Sequence, residues 1–231
     1  MMFATSINYF SSAFPHYYLY DYLPLSAGKD MISRSLLKFK HRTQPDFSTW
    51  IECALEALPG ISLTPDTIIL RALHHDEMTV SVFPTALDFL GHALAGRFNC
   101  RYCPSFLRKS RPARPCKELS RRQRKTELRG IYLLDPTARQ MIATPAPPLA
   151  APPPPNPPFL LIDDILTTGT TIRMIIRPLR RTFPLSPIRI FTLARANDAP
   201  SAIDPAADDP TTRTLTPLTT NPPPQDTPPG Q

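Results

Sequence analysis

Along the first hundred residues, apolar positions recur mostly at helical spacing. In FSTWIECALEAL (47–58), Phe47, Trp50, Ile51, Ala54, Leu55 and Leu58 follow the i, i+3, i+4 rule of an amphipathic helix, and the Pro-Gly pair at 59–60 ends it. MISRSLLKFKHRT (31–43) reads as a further helix. PTALDFLGHALAGRF (84–98) enters on a proline and repeats Leu87, Leu90 and Leu94 on one face. The period changes at TIILRAL (67–73), whose β-branched run predicts a buried strand. CRYCPSFL (100–107) and GIYLLD (130–135) are shorter strand candidates.

The clearest unit lies near the C-terminal end. FLLID (159–163) is a continuous apolar run, as expected for a strand covered on both faces of a parallel sheet. TTIRMIIRPLRR (170–181) then turns Ile172, Ile175, Ile176 and Leu179 inward on a helix that Pro178 should kink or shorten, and IRIFTLA (188–194) is the next strand. Strand, turn, helix and strand make a βαβ unit, so the fold class is α/β with an open, mostly parallel sheet flanked by helices.

Composition changes this picture in two places. Of 31 prolines, nine fall in 145–158 and nine in 198–231. The chain therefore reads as one domain over 1–197, carrying a Pro-rich insertion at 144–158, followed by a disordered tail from 198 to 231. The formal charge of +7 is also local: Arg108 to Arg129 holds ten basic and two acidic residues, and the remainder is neutral within one charge. A patch of this kind suits a polyanion, either a phosphorylated small molecule or nucleic acid, and as readily a solvated face. The aromatic N-terminus has neither the basic region nor the cleavage site of a signal peptide, and no apolar run reaches the length of a membrane span, so a cytoplasmic protein with no membrane partner is expected. Cys100, Cys103 and Cys116, with His92 remote, do not make a convincing tetrahedral zinc set; reduced cysteines are expected.

The chemistry concentrates in FLLIDDILTTGTT (159–171). Two aspartates stand at the carboxyl end of a parallel strand, where open α/β sheets bind ligands. The threonine–glycine turn behind them opens a helix, whose first N–H groups lack intrahelical partners and sit at the positive end of the helix dipole. Gly169 allows a close approach of an anion to the backbone, and the hydroxyls of Thr167, Thr168, Thr170 and Thr171 add donors. Carboxylates beside a phosphate cradle make sense if they accept hydrogen bonds from a diol, or hold a metal ion, on the same ligand. A ribose 5-phosphate group offers both a phosphate and a diol.

The stretch LLIDDILTTGTT closely resembles the motif with which type I phosphoribosyltransferases bind 5-phosphoribosyl-1-pyrophosphate (PRPP): an apolar strand, two acidic residues, two variable residues, then T-[TS]-G-x-T. KSRPARPCKELSRRQRKTELRGIYLL upstream is similar to the segment that ComF-like members of the family carry before the motif, and LLKFK (36–40) loosely resembles their early helix with its lysine. The likeness spans roughly 31–195. It implies that Asp163 and Asp164 bind the ribose hydroxyls, that Thr167, Thr168, Gly169, Thr170 and Thr171 bind the 5′-phosphate, and that Mg²⁺ arrives with PRPP, with Asp163 and Asp164 as available ligands. For the pyrophosphate it points to the end of the early strand, Arg71 and Ala72, and to Lys109, Arg111 and Lys117 in a mobile basic loop.

The implied activity is transfer of a phosphoribosyl group to or from a nitrogenous acceptor. Two departures from the family pattern matter. ComF-like proteins usually begin with a four-cysteine zinc module, which this N-terminus does not supply. Thr167 stands where enzymes acting on 6-oxopurines have an aspartate, which disfavours that acceptor class. The alternatives are a non-catalytic PRPP or nucleotide sensor, a ComF-like DNA-uptake factor, and a nucleic-acid binder using 108–129, the last not favoured. A homo-oligomer is left open.

Overall fold

The structure is a computed structural model, and it describes residues 8–10, 14–23, 31–61, 63–115, 119–143 and 154–196. Most of the Pro-rich insertion, Lys117 and Cys116, and the tail lie outside the described residues.

Among the described residues eight strands and six α-helices follow one another as β1 (Asn8–Phe10), β2 (His16–Tyr22), α1 (Met31–Lys40), α2 (Asp46–Ala57), β3 (Ile68–Arg71), α3 (Ala86–Phe98), β4 (Arg101–Tyr102), β5 (Leu107–Lys109), α4 (Arg121–Leu128), β6 (Tyr132–Leu134), α5 (Ala138–Ala143), β7 (Phe159–Leu166), α6 (Thr170–Thr182) and β8 (Ile188–Ala196). The main sheet runs in the order β1-β2-β8-β7-β3-β4, with β2 to β4 all parallel and β1 antiparallel at the edge. A mostly parallel six-stranded sheet, with five strands parallel to one another and flanked by helices, is therefore the architecture.

Strand period places alternate residues on opposite faces. Ile69, Leu160, Ile162, Phe191 and Leu193 pack with α1, α2 and α3 around Leu36, Trp50 and Leu90. Ile68, Leu70, Leu161 and Ile190 pack with Ile172, Ile175, Ile176 and Leu179 of α6. Both faces are covered, which is why β3 up to Leu70 and the first half of β7 read as apolar runs.

Local signals set the helix ends. Thr85 and Asp88 form a capping box at the start of α3, so Pro84 stands just outside, and Asn99 closes the helix in the left-handed region at φ 51°. The helix α6 continues through Pro178 to Thr182 instead of stopping at it.

Two expectations are corrected, and one strand candidate finds its place outside the main sheet. β7 runs to Leu166, past the apolar residues, because Asp163, Ile165 and Leu166 still pair with Thr192, Ala194 and Arg195 of β8. The 130–135 strand does not join the main sheet; β6 pairs antiparallel with β5 in a separate two-stranded sheet. The basic stretch is not a plain loop. It contains β5 and the helix α4, started by a Ser120–Gln123 capping box.

The crossovers position the site. From β3 the chain passes through α3 to β4 on one side, and from the neighbouring β7 through α6 to β8 on the other. The carboxyl ends of β3 and β7 are thus a topological switch point, where the connections diverge and leave a crevice.

Candidate functional site

The crevice begins where β3 ends. Arg71 is the last residue of β3 opposite Ile162, and Ala72 N–H donates to Ile162 O at 3.0 Å. Beyond that point β7 keeps a partner only on its β8 side, so Asp163 and Asp164 border open space. A cavity of about 660 Å³ lies there, within the range usual for small-molecule sites. Asp163, Asp164, Thr167 and Thr171 line it from the β7 side, and Arg71, Ala72, His74 and Lys109 also face it.

A second, smaller cavity of about 40 Å³ is walled by Thr167–Thr171, Asp163 and Arg124. Asp163, Thr167 and Thr171 belong to both, so cradle and cleft share a wall. Gly169 caps α6 at φ 67°, ψ 7°, a left-handed conformation in which a β-carbon is unfavourable. Arg173, one turn into the helix, donates to Thr168 O at 2.9 Å and to Thr170 Oγ1 at 3.3 Å, bracing the turn from within. Thr168 and Thr170 hydroxyls lie 2.9 Å apart.

The two aspartates differ. Asp163 is held well above the usual carboxylate range, first by burial and then by the neighbouring Asp164 charge, against the pull of the Asp164 N–H, Lys40 and Lys109. Asp164 forms an ion pair with Lys40, Nζ to Oδ2 2.8 Å. Burial pulls the Lys40 ammonium down, but Asp164, by charge and by hydrogen bond, together with Asp163 holds it above its ordinary value. Lys40 closes α1, so the early helix delivers its lysine to the acidic pair 124 positions downstream.

The loop after β3 is arranged in the opposite sense. Arg71 is 1% exposed; Nε donates to Asp88 Oδ1 at 2.5 Å, and Nη1 and Nη2 donate to Glu77 at 2.7 and 2.8 Å. Tyr102 adds a hydrogen bond to Asp88 at 2.7 Å. Burial works against each charge, but the arginine keeps both carboxyls below their ordinary values. The Ala72 and His74 N–H groups are also taken up, by Ile162 O and by Glu77 Oε2 at 2.6 Å. Arg71 therefore organises this loop, with its guanidinium bonded to two carboxylates of the protein.

The remaining predicted residues divide. Lys109 is buried in β5, donates to Leu73 O at 3.2 Å and to His74 O, and lies over the Tyr132 ring. Arg111 is half exposed and pairs with Glu127 at 2.7 Å, and neither residue is among those that line the cleft. Two residues absent from the sequence-predicted set enter the site, Lys40 and Arg124. The lysine was visible as the end of the early helix. Arg124 was one of many arginines until α4 turned it toward the turn, and its Nε donates to Leu119 O at 2.9 Å. No protein-family model matches the chain, and no curated protein matches it. Among the described residues no helix is long and apolar enough to cross a membrane.

Proposed function

We propose that the protein has the type I phosphoribosyltransferase fold, that its cleft binds Mg–PRPP and that it transfers the phosphoribosyl group to a nitrogenous acceptor, with 6-oxopurines disfavoured by Thr167. The observation that carries this reading is the shared wall: the paired aspartates of β7 line the cleft, the left-handed glycine turn of α6 lines the small cavity beside it, and Asp163, Thr167 and Thr171 belong to both. A ligand with a phosphate and a vicinal diol a few bonds apart satisfies both halves. The turn takes the 5′-phosphate, with Arg124 beside it. Asp163 and Asp164 accept from the 2′- and 3′-hydroxyls.

The donor set also fits a hard cation. Carboxylate oxygens suit Mg²⁺, which keeps most of its water shell, and a divalent ion on the ligand would draw Asp163 back to its charged form. When bound with the substrate, the ion supplies neutralisation of the pyrophosphate charge. The residues of the chain position the sugar and exclude water. Displacement at the anomeric carbon builds oxocarbenium character while pyrophosphate leaves with its electron pair, so orientation and electrostatic stabilisation carry the rate.

Calorimetric titration with PRPP, ribose 5-phosphate and 2-deoxyribose 5-phosphate tests the binding. The first two should bind and the deoxy sugar should bind less well; equal binding of all three would sink the diol assignment. Release of pyrophosphate in the presence of a panel of bases and amines separates an enzyme from a sensor that binds without turnover.

A further inference from the structure

The loop that follows β3 carries three side chains that the PRPP reading leaves unused. His74, His75 and Asp76 offer ligand atoms that all lie within 4.8 Å of one another, the one such group of its kind among the described residues. His74 Nδ1 is 2.5 Å from Asp76 Oδ1, and His74 Nε2 is 3.2 Å from His75 Nδ1. The rings stand 4.1 Å apart at 60°, so they converge through their nitrogens instead of stacking.

Two imidazole nitrogens at the usual zinc distance of about 2.0–2.1 Å around a tetrahedral ion are roughly 3.3 Å apart. The observed 3.2 Å is a hydrogen-bond contact between the two rings and matches the separation that a ligand pair needs. Asp76 supplies the complementary feature. A carboxylate on Nδ1 fixes the proton there and leaves Nε2 as the coordinating atom, the arrangement by which proteins orient metal-binding histidines.

The side chains are exposed or half-exposed, but the backbone beneath them is clamped. Glu77 N–H donates to His74 O at 3.1 Å, Ala113 N–H to His75 O at 2.8 Å, and His74 N–H to Glu77, itself anchored on buried Arg71. Lys109 also donates to His74 O. The ion pairs below the turn and the Ala113 hydrogen bond thus fix the backbone that carries both histidines, which favours a preformed site.

We infer that His74 Nε2 and His75 Nδ1 form a binding site for a borderline transition-metal cation of the Zn²⁺ class, oriented by Asp76 and opening into the cleft. Imidazole nitrogens select such ions over Mg²⁺, so this site is distinct from any ion carried in by a phosphate ligand. Both histidines line the cleft, and two tetrahedral positions stay open for water or for phosphate oxygens of a bound ligand.

The test uses the full chain, stripped with a chelator and titrated with Co²⁺ or Zn²⁺ alone, in the absence of any phosphate, so it stands or falls apart from the PRPP reading. We expect one ion per chain, with visible cobalt bands and no sulfur-to-metal charge transfer. His74→Gln and His75→Gln should each abolish it. Asp76→Asn should weaken it by about tenfold or more, as loss of an orienting carboxylate does. His41→Gln, also in the cleft wall, and the Cys100→Ser/Cys103→Ser pair should leave it unchanged. Unaltered melting of the histidine variants excludes misfolding as the cause. Absence of binding by the wild type at millimolar free metal, or stoichiometric binding that survives either histidine substitution, would overturn the site.

Discussion

Two loops leave neighbouring parallel strands at the same edge of the sheet, and they treat charge in opposite ways. After β3, Arg71 is buried against Glu77 and Asp88, and the Ala72 and His74 amides are bonded within the protein. After β7, a left-handed glycine opens a helix toward a small cavity, Asp163 borders that cavity and the adjoining cleft, and Asp164 borders the cleft. Position at the carboxyl edge therefore does not by itself make a ligand site. What decides is how the polar groups are used: of the two loops, the β7 loop sets carboxylates and a left-handed glycine turn along adjoining cavities, whereas the β3 loop bonds its arginine and amides internally and turns its histidines to the cleft.

The largest effect should come from breaking the satisfied loop. Arg71→Met leaves Glu77 and Asp88 as buried, unpaired carboxylates, a change that typically costs about 3–5 kcal/mol. Denaturant unfolding should show it directly. A variant that keeps its stability but loses PRPP affinity would mean that the guanidinium serves the ligand and not the fold.

Next is the acidic pair. Asp163→Asn or Asp164→Asn should weaken PRPP binding by roughly ten- to a hundredfold, the scale of a charged hydrogen bond at about 1.5–3 kcal/mol. Stability should move the other way at Asp163. Its folded pKa is raised, so the native state keeps the proton to higher pH than the unfolded chain. The stability linked to that proton is complete below the ordinary aspartate range and is lost as pH rises through the raised value. Asp163→Asn should therefore melt above the wild type at neutral pH and converge with it in acid. Coincident melting curves across the pH range would show that Asp163 is an ordinary carboxylate.

Arg124 sharpens the comparison within one helix. It walls the small cradle, whereas Arg122 on the same helix is exposed and does not. Arg124→Ala should cost about tenfold in ribose 5-phosphate affinity if it donates to the phosphate, and Arg122→Ala should fall within error. Equal losses would reduce α4 to a diffuse positive field.

Those arginines also mark where the sequence becomes opaque. Helices α1, α2 and α3 and the unit from β7 to β8 were legible, because each buries an apolar stripe or run whose period names the element. The helix α4, RRQRKTEL, has almost no apolar stripe, so periodicity is silent there and the segment reads as a basic loop. Its one local signal was the capping box, Ser120 followed by Gln123. The aspartates and the threonine–glycine turn were legible as a candidate site because their chemistry is contiguous in the chain. The Arg71 network was not. It joins residues 71, 77, 88 and 102 through a sheet edge and a helix start, and an arginine bound for burial looks in sequence like one bound for a ligand.

The smallest effect belongs to the second ion pair, Lys40–Asp164, and its contrast with Arg71 is one of depth. The Lys40 side chain is 38% exposed and Asp164 22%, against 1% for Arg71, and the contact is a single one at 2.8 Å. Water and salt screen such a pair, so Lys40→Met should change stability by less than about 1 kcal/mol, several times less than Arg71→Met. Its effect on ligand should also be modest. The variant loses a cation from the cleft wall but releases Asp164 to accept from the sugar, and the two changes oppose each other. A double-mutant cycle with Asp164→Asn isolates the pair, because each single variant removes the same contact. The expected coupling in unfolding free energy is below about 1 kcal/mol and shrinks further in high salt. A coupling as large as that of a buried pair would place Lys40 and Asp164 in the fold's framework, and Asp164 would then be no freer to read a ribose than Glu77 or Asp88.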